Sequence, residues 1–239
     1  MYKNVAIIGA SSLIARAIIR QIHCDCPNVK IIAFSREEIK IDVENTNFYR
    51  INYDDEASIK HSANVASKNG PLDLIFVANG ILHDKVIKPE KSIRDFDFAN
   101  FEKIFKVNTI IPAMIAKYFM PLLNKEQRSI FAFLSARVGS ISDNKLGGWY
   151  AYRSSKSALN MIIKNLAIES GRTNKKAIFL GLHPGTVDSP LSKPFQKSIA
   201  QEKIFTPEIS AMKLLKVIEN ASPEDTGCTF AWDGKFIKP

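Results

Sequence analysis

The sequence predicts an α/β fold, in which a doubly wound parallel sheet lies between two helical layers in an αβα arrangement. Short apolar runs alternate along the chain with longer segments whose apolar residues recur at intervals of three and four. The run at 72–78 is almost continuously apolar, as expected for a central strand that is buried on both faces. With 239 residues and neither a repeat nor a linker, the chain is predicted to form one domain over 1–239.

The elements follow one another in regular alternation. Strands are predicted at 5–9, 29–34, 48–51, 72–78, 129–134, 177–182 and 229–232. Helices are predicted at 13–22, 54–67, around 101–111, 152–169 and 207–220. Pro112 predicts a kink or a boundary in the third helical region, Gly171 a stop, and Pro207 a helix start.

The turn after the first strand is predicted to bind a phosphate group. Gly9 ends that strand, and Ser11 and Ser12 lead into a helix N-terminus, whose free N–H groups and positive dipole end suit a pyrophosphate. Leu13 and Ile14 complete the predicted contacts of this Rossmann-like turn. Leu13 also departs from the glycine-rich fingerprint, because it places a large side chain where backbone should approach phosphate.

The end of the second strand bears on the choice of dinucleotide. Ser35 and Arg36 stand there, and the acidic residues Glu37 and Glu38 come only afterwards. An acid at this strand end accepts the ribose 2′-hydroxyl of NAD, whereas an arginine accommodates the 2′-phosphate of NADP. The sequence therefore favours NADP(H) over NAD(H).

Tyr152 and Lys156 form the candidate catalytic pair. Residues four apart share one helical face, so the phenol and the ammonium point the same way. The nearby ammonium is expected to lower the tyrosine pKa from its usual value of about 10 and so to make Tyr152 a proton donor or acceptor. The alternative is a solvated pair on an outer helix face, since this spacing is common by chance.

Composition narrows the function classes. The net charge is +9, but the lysines are spread along the chain and no nucleic-acid motif accompanies them, so a basic solvated surface is preferred to a nucleic-acid binder. Apolar runs are too short or too interrupted for a membrane span, and no signal peptide is recognised, so a cytoplasmic location is expected. The three cysteines predict neither a disulfide framework nor a metal site.

With these motifs in their order, the chain resembles the short-chain dehydrogenase/reductase family. The segment FLSARVGSISDNKLGGWYAYRSSKSALN is most similar to the C-factor-like and sniffer-like carbonyl reductases of that family. The resemblance implies that Tyr152 donates a proton to a carbonyl, that Lys156 binds the nicotinamide ribose, and that Asn108 anchors a water beside the lysine. It also implies cofactor contacts from several strand ends: Asn52, Tyr53, Asn79, Gly80, Pro184, Gly185, Thr186 and Val187.

The serine that would hydrogen-bond the substrate oxygen is an open point in this resemblance. The family commonly has two adjacent serines after the fifth strand, the second being catalytic, and here they read Ser135 and Ala136. Ser135 is preferred because it stands at the strand end, with Ser140 as the alternative. Loss of one such donor costs on the order of a hundredfold in rate.

The sequence thus predicts an NADP(H)-dependent oxidoreductase acting on a small carbonyl or alcohol. The alternative is a catalytically weak or inactive dinucleotide-binding protein with a signalling or regulatory role on the same fold. The resemblance also implies a homodimer or homotetramer built through the helices that carry Asn108 and Tyr152.

Overall fold

The computed structural model describes residues 2–39 and 43–239. Its strands, in chain order, are β1 (Asn4–Ile8), β2 (Lys30–Ser35), β3 (Thr46–Arg50), β4 (Leu74–Val77), β5 (Ser129–Leu134), β6 (Ala177–His183), β7 (Thr186–Val187), β8 (Ile204–Phe205) and β9 (Cys228–Ala231). Its helices are α1 (Leu13–Asp25), α2 (Glu56–Ala66), α3 (Phe98–Phe105), α4 (Ile111–Phe119), α5 (Tyr150–Ser170) and α6 (Pro207–Asn220).

Among the described residues, seven strands form one parallel sheet in the order β3-β2-β1-β4-β5-β6-β9. The order reverses between β1 and β4, where Val5 pairs with Ile31 on one side and with Leu74 on the other. Such a reversal opens a crevice at the carboxyl ends of the strands, which is where ligands bind in this class of sheet.

Two apolar layers cover the sheet, one on each face. Val5 and Ile7 point toward α1 and α6, whereas Ala6 and Ile8 point toward α2, α4 and α5. Successive side chains of a strand alternate between faces, so a strand buried on both sides has to be apolar throughout. The predicted doubly wound αβα fold is confirmed.

Element boundaries differ from the prediction in a few places. The fourth strand covers 74–77 rather than 72–78, since Leu72 forms only an isolated bridge with Leu123. Helix α5 begins at Tyr150, two residues before the predicted start. The boundary expected at Pro112 is confirmed: a π-helical stretch at Lys106–Ile110 follows α3, and Pro112 lies in the first turn of α4.

Within the described residues, no helix is both long enough and apolar enough to cross a membrane.

Candidate active site

Tyr152 and Lys156 lie together on the inner face of α5, at the carboxyl edge of the sheet. Their exposed fractions are 8% and 2%, so neither belongs to a solvated outer face. Lys156 Nζ lies 6.0 Å from the centre of the Tyr152 ring and donates a hydrogen bond of 2.8 Å to the Leu134 carbonyl at the end of β5. The structure therefore brings the predicted pair together in a buried position.

The sequence predicts a lowered pKa for Tyr152, and this prediction is wrong. Burial raises the pKa of Tyr152 to about 12, and burial lowers the pKa of Lys156 to about 7. Removal from water penalises the charged form of each group, so the phenol holds its proton and the amine readily loses its own. The four-residue spacing correctly predicted that the two side chains share a helix face. It did not predict their burial, which determines both pKa shifts.

Asn108 lies beside this pair, in the π-helical stretch. Its side chain is fully buried: Oδ1 accepts from the Ile81 N–H at 2.8 Å, and Nδ2 donates to the Ile81 carbonyl and to Ser155 Oγ. A Cβ atom added to Gly80 would lie 3.6 Å from Lys156 Nζ and 3.7 Å from Asn108 Oδ1. Gly80 thus lies close to both Lys156 Nζ and Asn108 Oδ1. The role of Asn108 in anchoring a water stays a prediction.

The hydroxyl groups of the two serine candidates are hydrogen-bonded to protein groups other than Tyr152. Ser135 Oγ donates to Asn160 Oδ1 at 2.6 Å, and Ser140 Oγ accepts from the Asp143 N–H at 3.0 Å. Ala136, in extended conformation, packs against Tyr152. Neighbouring residues of an extended segment point to opposite sides, so a methyl group and not the Ser135 hydroxyl lies next to the phenol. Catalysis by Ser135 stays a prediction that this geometry does not favour.

An apolar wall surrounds the tyrosine on the side open to a substrate. Leu82 and Ala136 pack with Tyr152, and Val138, Trp149 and Phe195 are partly buried against them. The Trp149 ring centre lies 4.9 Å from that of Phe195 and 6.3 Å from that of Tyr152.

The Phe195 segment is also tied to the loop that follows β4. His83 Nε2 hydrogen-bonds the Leu191 carbonyl at 3.0 Å, and the His83 ring packs edge-on against Phe195 at 5.6 Å between centres. Phe195 is therefore held between the His83 loop and the apolar cluster around Tyr152.

The turn after β1 has the shape that a dinucleotide requires. Gly9 has a φ of +80°, and a Cβ atom there would lie 3.0 Å from the Ala78 carbonyl carbon, so only glycine fits. Ser12 caps α1 by accepting from the Ala15 N–H. Leu13 is 40% exposed at the first position of α1, with Ser11 exposed and Ile14 half-buried on either side. The positive end of α1 thus faces the crevice between β1 and β4.

Two residues after β3, which the resemblance assigns to the cofactor, make hydrogen bonds within the protein, and their cofactor contacts stay a prediction. The buried Tyr53 hydroxyl accepts a hydrogen bond of 3.0 Å from the Gly9 N–H, so it supports the turn after β1 from below. Asn52 Oδ1 accepts from the Asp54 N–H and shapes its own turn. Asn79 Oδ1, in contrast, is buried and has no hydrogen-bond partner among the described residues, which suits a polar ligand in the crevice.

A cavity of about 580 Å³ lies at the ends of β2 and β3. Arg36 borders it with Ser35, whose hydroxyl donates to the Glu37 carbonyl. Arg50 borders it as well, because the parallel register places Arg50 directly beside Ser35. Arg50 is not among the residues predicted from the sequence, because its place beside Ser35 depends on this register.

The segment after β6 forms the opposite end of the crevice. Gly185 has a φ of +77°, and a Cβ atom there would lie 2.7 Å from the Phe205 ring. The Pro184 carbonyl accepts from Ser210 Oγ at 2.9 Å, and Thr186 and Val187 pair with β8. The backbone of this segment is thus held in place from α6 and β8, and its contact with a nicotinamide stays a prediction.

The fold and this site define an oxidoreductase of the dehydrogenase type, and comparison with known proteins supports that class. Residues 3–200 match the family model described as short chain dehydrogenase. The chain therefore belongs to the short-chain dehydrogenase family, and the resemblance seen in its motifs is confirmed.

Relatives and solved structures extend the likeness to the whole chain. A 1-hydroxy-2-glutathionyl-2-methyl-3-butene dehydrogenase of Rhodococcus sp. is 28% identical over 98% of this chain and 99% of its own. The C-signal protein of Myxococcus xanthus is 29% identical over 61% of this chain and 82% of its own. The NADPH-bound carbonyl reductase from chicken fatty liver has a TM-score of 0.85 at 22% identity, covering 99% of this chain and 94% of that one. The carbonyl reductase Sniffer of D. melanogaster has a TM-score of 0.84 at 20% identity and full coverage of both chains.

Proposed function

We propose that the protein is an NADP(H)-dependent oxidoreductase that interconverts a carbonyl group and an alcohol, with Tyr152 as the proton-transfer residue. One observation carries the proposal. A tyrosine and a lysine, both almost fully buried, share one helix face at the carboxyl ends of a doubly wound sheet. Buried titratable pairs in a cleft are typical of catalytic sites.

The residues of this chain divide the chemistry with the dinucleotide, which supplies or accepts the hydride when bound. Burial raises the pKa of Tyr152 to about 12, so its hydroxyl is protonated at neutral pH and carries the proton that a carbonyl oxygen takes up in the reductive direction. Lys156, when protonated, stabilises the phenolate that remains. The Asn108 side chain orders the Ile81 backbone and the Ser155 hydroxyl behind this pair.

The proposed preference for NADP(H) rests on the cavity at the ends of β2 and β3. Arg36 and Arg50 border it together with Glu37 and Glu38, and the last position of β2, where an NAD-binding acid would stand, is Ser35. A 2′-phosphate carries negative charge that guanidinium groups bind well, whereas the NAD ribose calls for a carboxylate.

The proposed substrate is a small carbonyl compound with an apolar body. The side chains around Tyr152 are aliphatic or aromatic, so an apolar group beside the reacting carbonyl finds matching surface there. The homodimer or homotetramer implied by the family likewise remains part of the proposal.

NADPH oxidation against a panel of aldehydes, ketones and quinones tests this function. The wild type is expected to oxidise NADPH with at least one apolar carbonyl, and Tyr152→Phe to bind NADPH equally well but to lose that activity. A wild-type protein that binds NADPH yet oxidises it no faster than Tyr152→Phe with any substrate would contradict the enzyme proposal.

One observation favours the second candidate, a dinucleotide-binding protein without turnover. Ala136 lies against Tyr152, where the family commonly has the serine that hydrogen-bonds the substrate oxygen. The same panel separates the two, because this candidate predicts cofactor binding, measured by NADPH fluorescence, without any oxidation.

A further inference from the structure

Helix α5 begins without a capping side chain of its own. The residue before its first turn is Trp149, which has left-handed backbone angles of φ 50° and ψ 44° and makes no side-chain cap. The first turn also contains no acidic residue. The first N–H groups of a helix lack partners inside the helix, so a buried start needs acceptors from elsewhere.

Glu90, in the loop between β4 and α3, supplies these acceptors from 61 residues away. Its carboxylate Oε2 accepts from the Ala151 N–H at 3.2 Å, and its backbone carbonyl accepts from the Trp149 N–H at 2.6 Å. Ala151 occupies the position whose N–H an ordinary N-cap side chain binds. One residue thus caps the helix twice.

The Glu90 carboxylate is costly to bury and is only partly paired. The residue is 1% exposed, and Oε1 has no hydrogen-bond partner among the described residues. No lysine, arginine or histidine forms an ion pair with it in the described part of the chain. An unpaired buried carboxylate is destabilising unless its surroundings favour negative charge, and the positive end of a helix dipole is such a surrounding.

The packing around this cap connects it directly to the candidate catalytic residue. Ala151 is fully buried against Ile87 and Ile104, and Tyr152 is the next residue in the helix. Gly148 approaches so closely that a Cβ atom there would lie 3.4 Å from the Glu90 carbonyl oxygen. The depth and direction of the first turn of α5 therefore depend on residue 90.

We propose that Glu90 is a positioning residue, whose buried carboxylate caps the N-terminus of α5 and thereby orients Tyr152 for proton transfer. This inference rests on the proposed function for its catalytic consequence and on the hydrogen bonds above for the cap itself. Small displacements of a reacting group lower rates steeply, even when binding is unchanged.

Two variants at position 90 and one control test the proposal. Glu90→Ala removes the acceptor, whereas Glu90→Gln keeps an amide oxygen that can accept from the Ala151 N–H. Glu102→Ala, at an exposed carboxylate on α3, is the matched control. For each protein, kcat, KM, the NADPH dissociation constant and the amide exchange rates of residues 149–153 are measured.

Glu90→Ala is expected to lower kcat by about tenfold to a hundredfold, to change NADPH affinity less than about twofold, and to speed exchange at 149–153. Glu90→Gln should recover most of both losses, and Glu102→Ala should behave as wild type. In a Tyr152→Phe background, Glu90→Ala should cause no further fall in the residual rate.

Two results would overturn the proposal. Unchanged exchange in Glu90→Ala would show that the carboxylate is not the cap, and faster exchange with an unchanged kcat would show that the cap does not orient Tyr152. If Glu90→Ala does not fold, Glu90→Gln decides by the same two readouts. Absence of turnover in the wild type itself would count against the proposed function, while the exchange rates would still decide whether Glu90 caps the helix.

Discussion

The two ends of the crevice are built on different principles. At the end beside α5, Tyr152, Lys156 and Asn108 are buried, and hydrogen bonds connect Lys156 and Asn108 to fixed backbone atoms. At the end beside β2 and β3, Arg36 and Arg50 are exposed at the rim of a cavity, and neither forms an ion pair in the described part of the chain. The buried side chains of the first end can rearrange little after a substitution. At the second end, water and side-chain rotation can replace a lost contact.

This difference determines how each end should respond to mutation. In a buried site a removed group leaves its partners without water to replace it, so losses are large. At an exposed rim, solvent and neighbouring side chains compensate, so effects are smaller and depend on salt. Substitutions at the buried end should therefore lower activity strongly. Substitutions at the exposed end should change the preference between cofactors by smaller steps.

Apart from the loss of Tyr152 itself, the largest effect on kcat is expected from Lys156→Met. The substitution keeps most of the side-chain volume but removes the charge beside Tyr152, so kcat should fall by about a hundredfold or more. Lys164→Met, at an exposed lysine on the same helix, serves as the control. A kcat within a few-fold of wild type would contradict a role for the lysine in proton transfer.

A smaller effect, on binding alone, is expected from Arg36→Asp. NADPH should bind about tenfold to a hundredfold more weakly, because a charge-assisted hydrogen bond contributes about 1.5–3 kcal/mol, while NADH binding should hold or improve. Fluorescence titration of both nucleotides measures this, with Arg20→Asp on the exposed side of α1 as the control. Equal losses for NADPH and NADH would show that Arg36 does not contact the 2′-phosphate.

Ala136→Ser is expected to have a modest effect in the opposite direction. A hydroxyl next to Tyr152 adds a donor for the substrate oxygen, so kcat should rise by about threefold to tenfold.

The geometry predicts that Ser135→Ala lowers kcat by less than about tenfold, since the Ser135 hydrogen is donated to Asn160. A hundredfold loss in Ser135→Ala would instead support the sequence-based assignment of Ser135.

A stability effect with a defined sign follows from the buried lysine. The pKa of Lys156 is about 7 in the folded protein, whereas the ordinary value for a lysine in an unfolded chain is 10.5. Between these two pH values the unfolded chain holds a proton that the folded protein has lost. The free energy of unfolding should therefore rise with pH between about 7 and 10.5. Above about pH 10.5 it should fall again, because burial raises the pKa of both Tyr152 and Tyr2 to about 12, so the folded protein keeps protons that the unfolded chain loses.

Urea denaturation of the protein without cofactor, at several pH values, measures both slopes. In Lys156→Met the rise above pH 7 should flatten, since the titrating group is gone. A rise of equal size in Lys156→Met would show that another group causes it.

The sequence predicted those parts of the molecule that depend on local patterns. Apolar runs and helical spacing located the seven strands of the sheet, and the four-residue spacing located Tyr152 and Lys156 on one face. Gly9 was recognisable because a tight turn between a strand and a helix needs a positive φ.

The remainder depends on contacts between distant segments. The Tyr53 hydroxyl reaches Gly9 across 44 residues, and Glu90 reaches Ala151 across 61, so neither follows from spacing along the chain. Arg50 borders the cavity at the ends of β2 and β3 only through the register of β3 against β2. The pKa values of Tyr152 and Lys156 depend on burial, which is set by the whole fold.

The central claim is that Tyr152 transfers the proton, and a matched pair of tyrosines on one helix tests it most directly. Tyr150 is 36% exposed two residues earlier and packs edge-on against Phe96. With a carbonyl substrate that the wild type reduces, kcat should fall by about a hundredfold or more in Tyr152→Phe and stay within about twofold of wild type in Tyr150→Phe. Equal rates in Tyr152→Phe and Tyr150→Phe would contradict proton transfer by Tyr152.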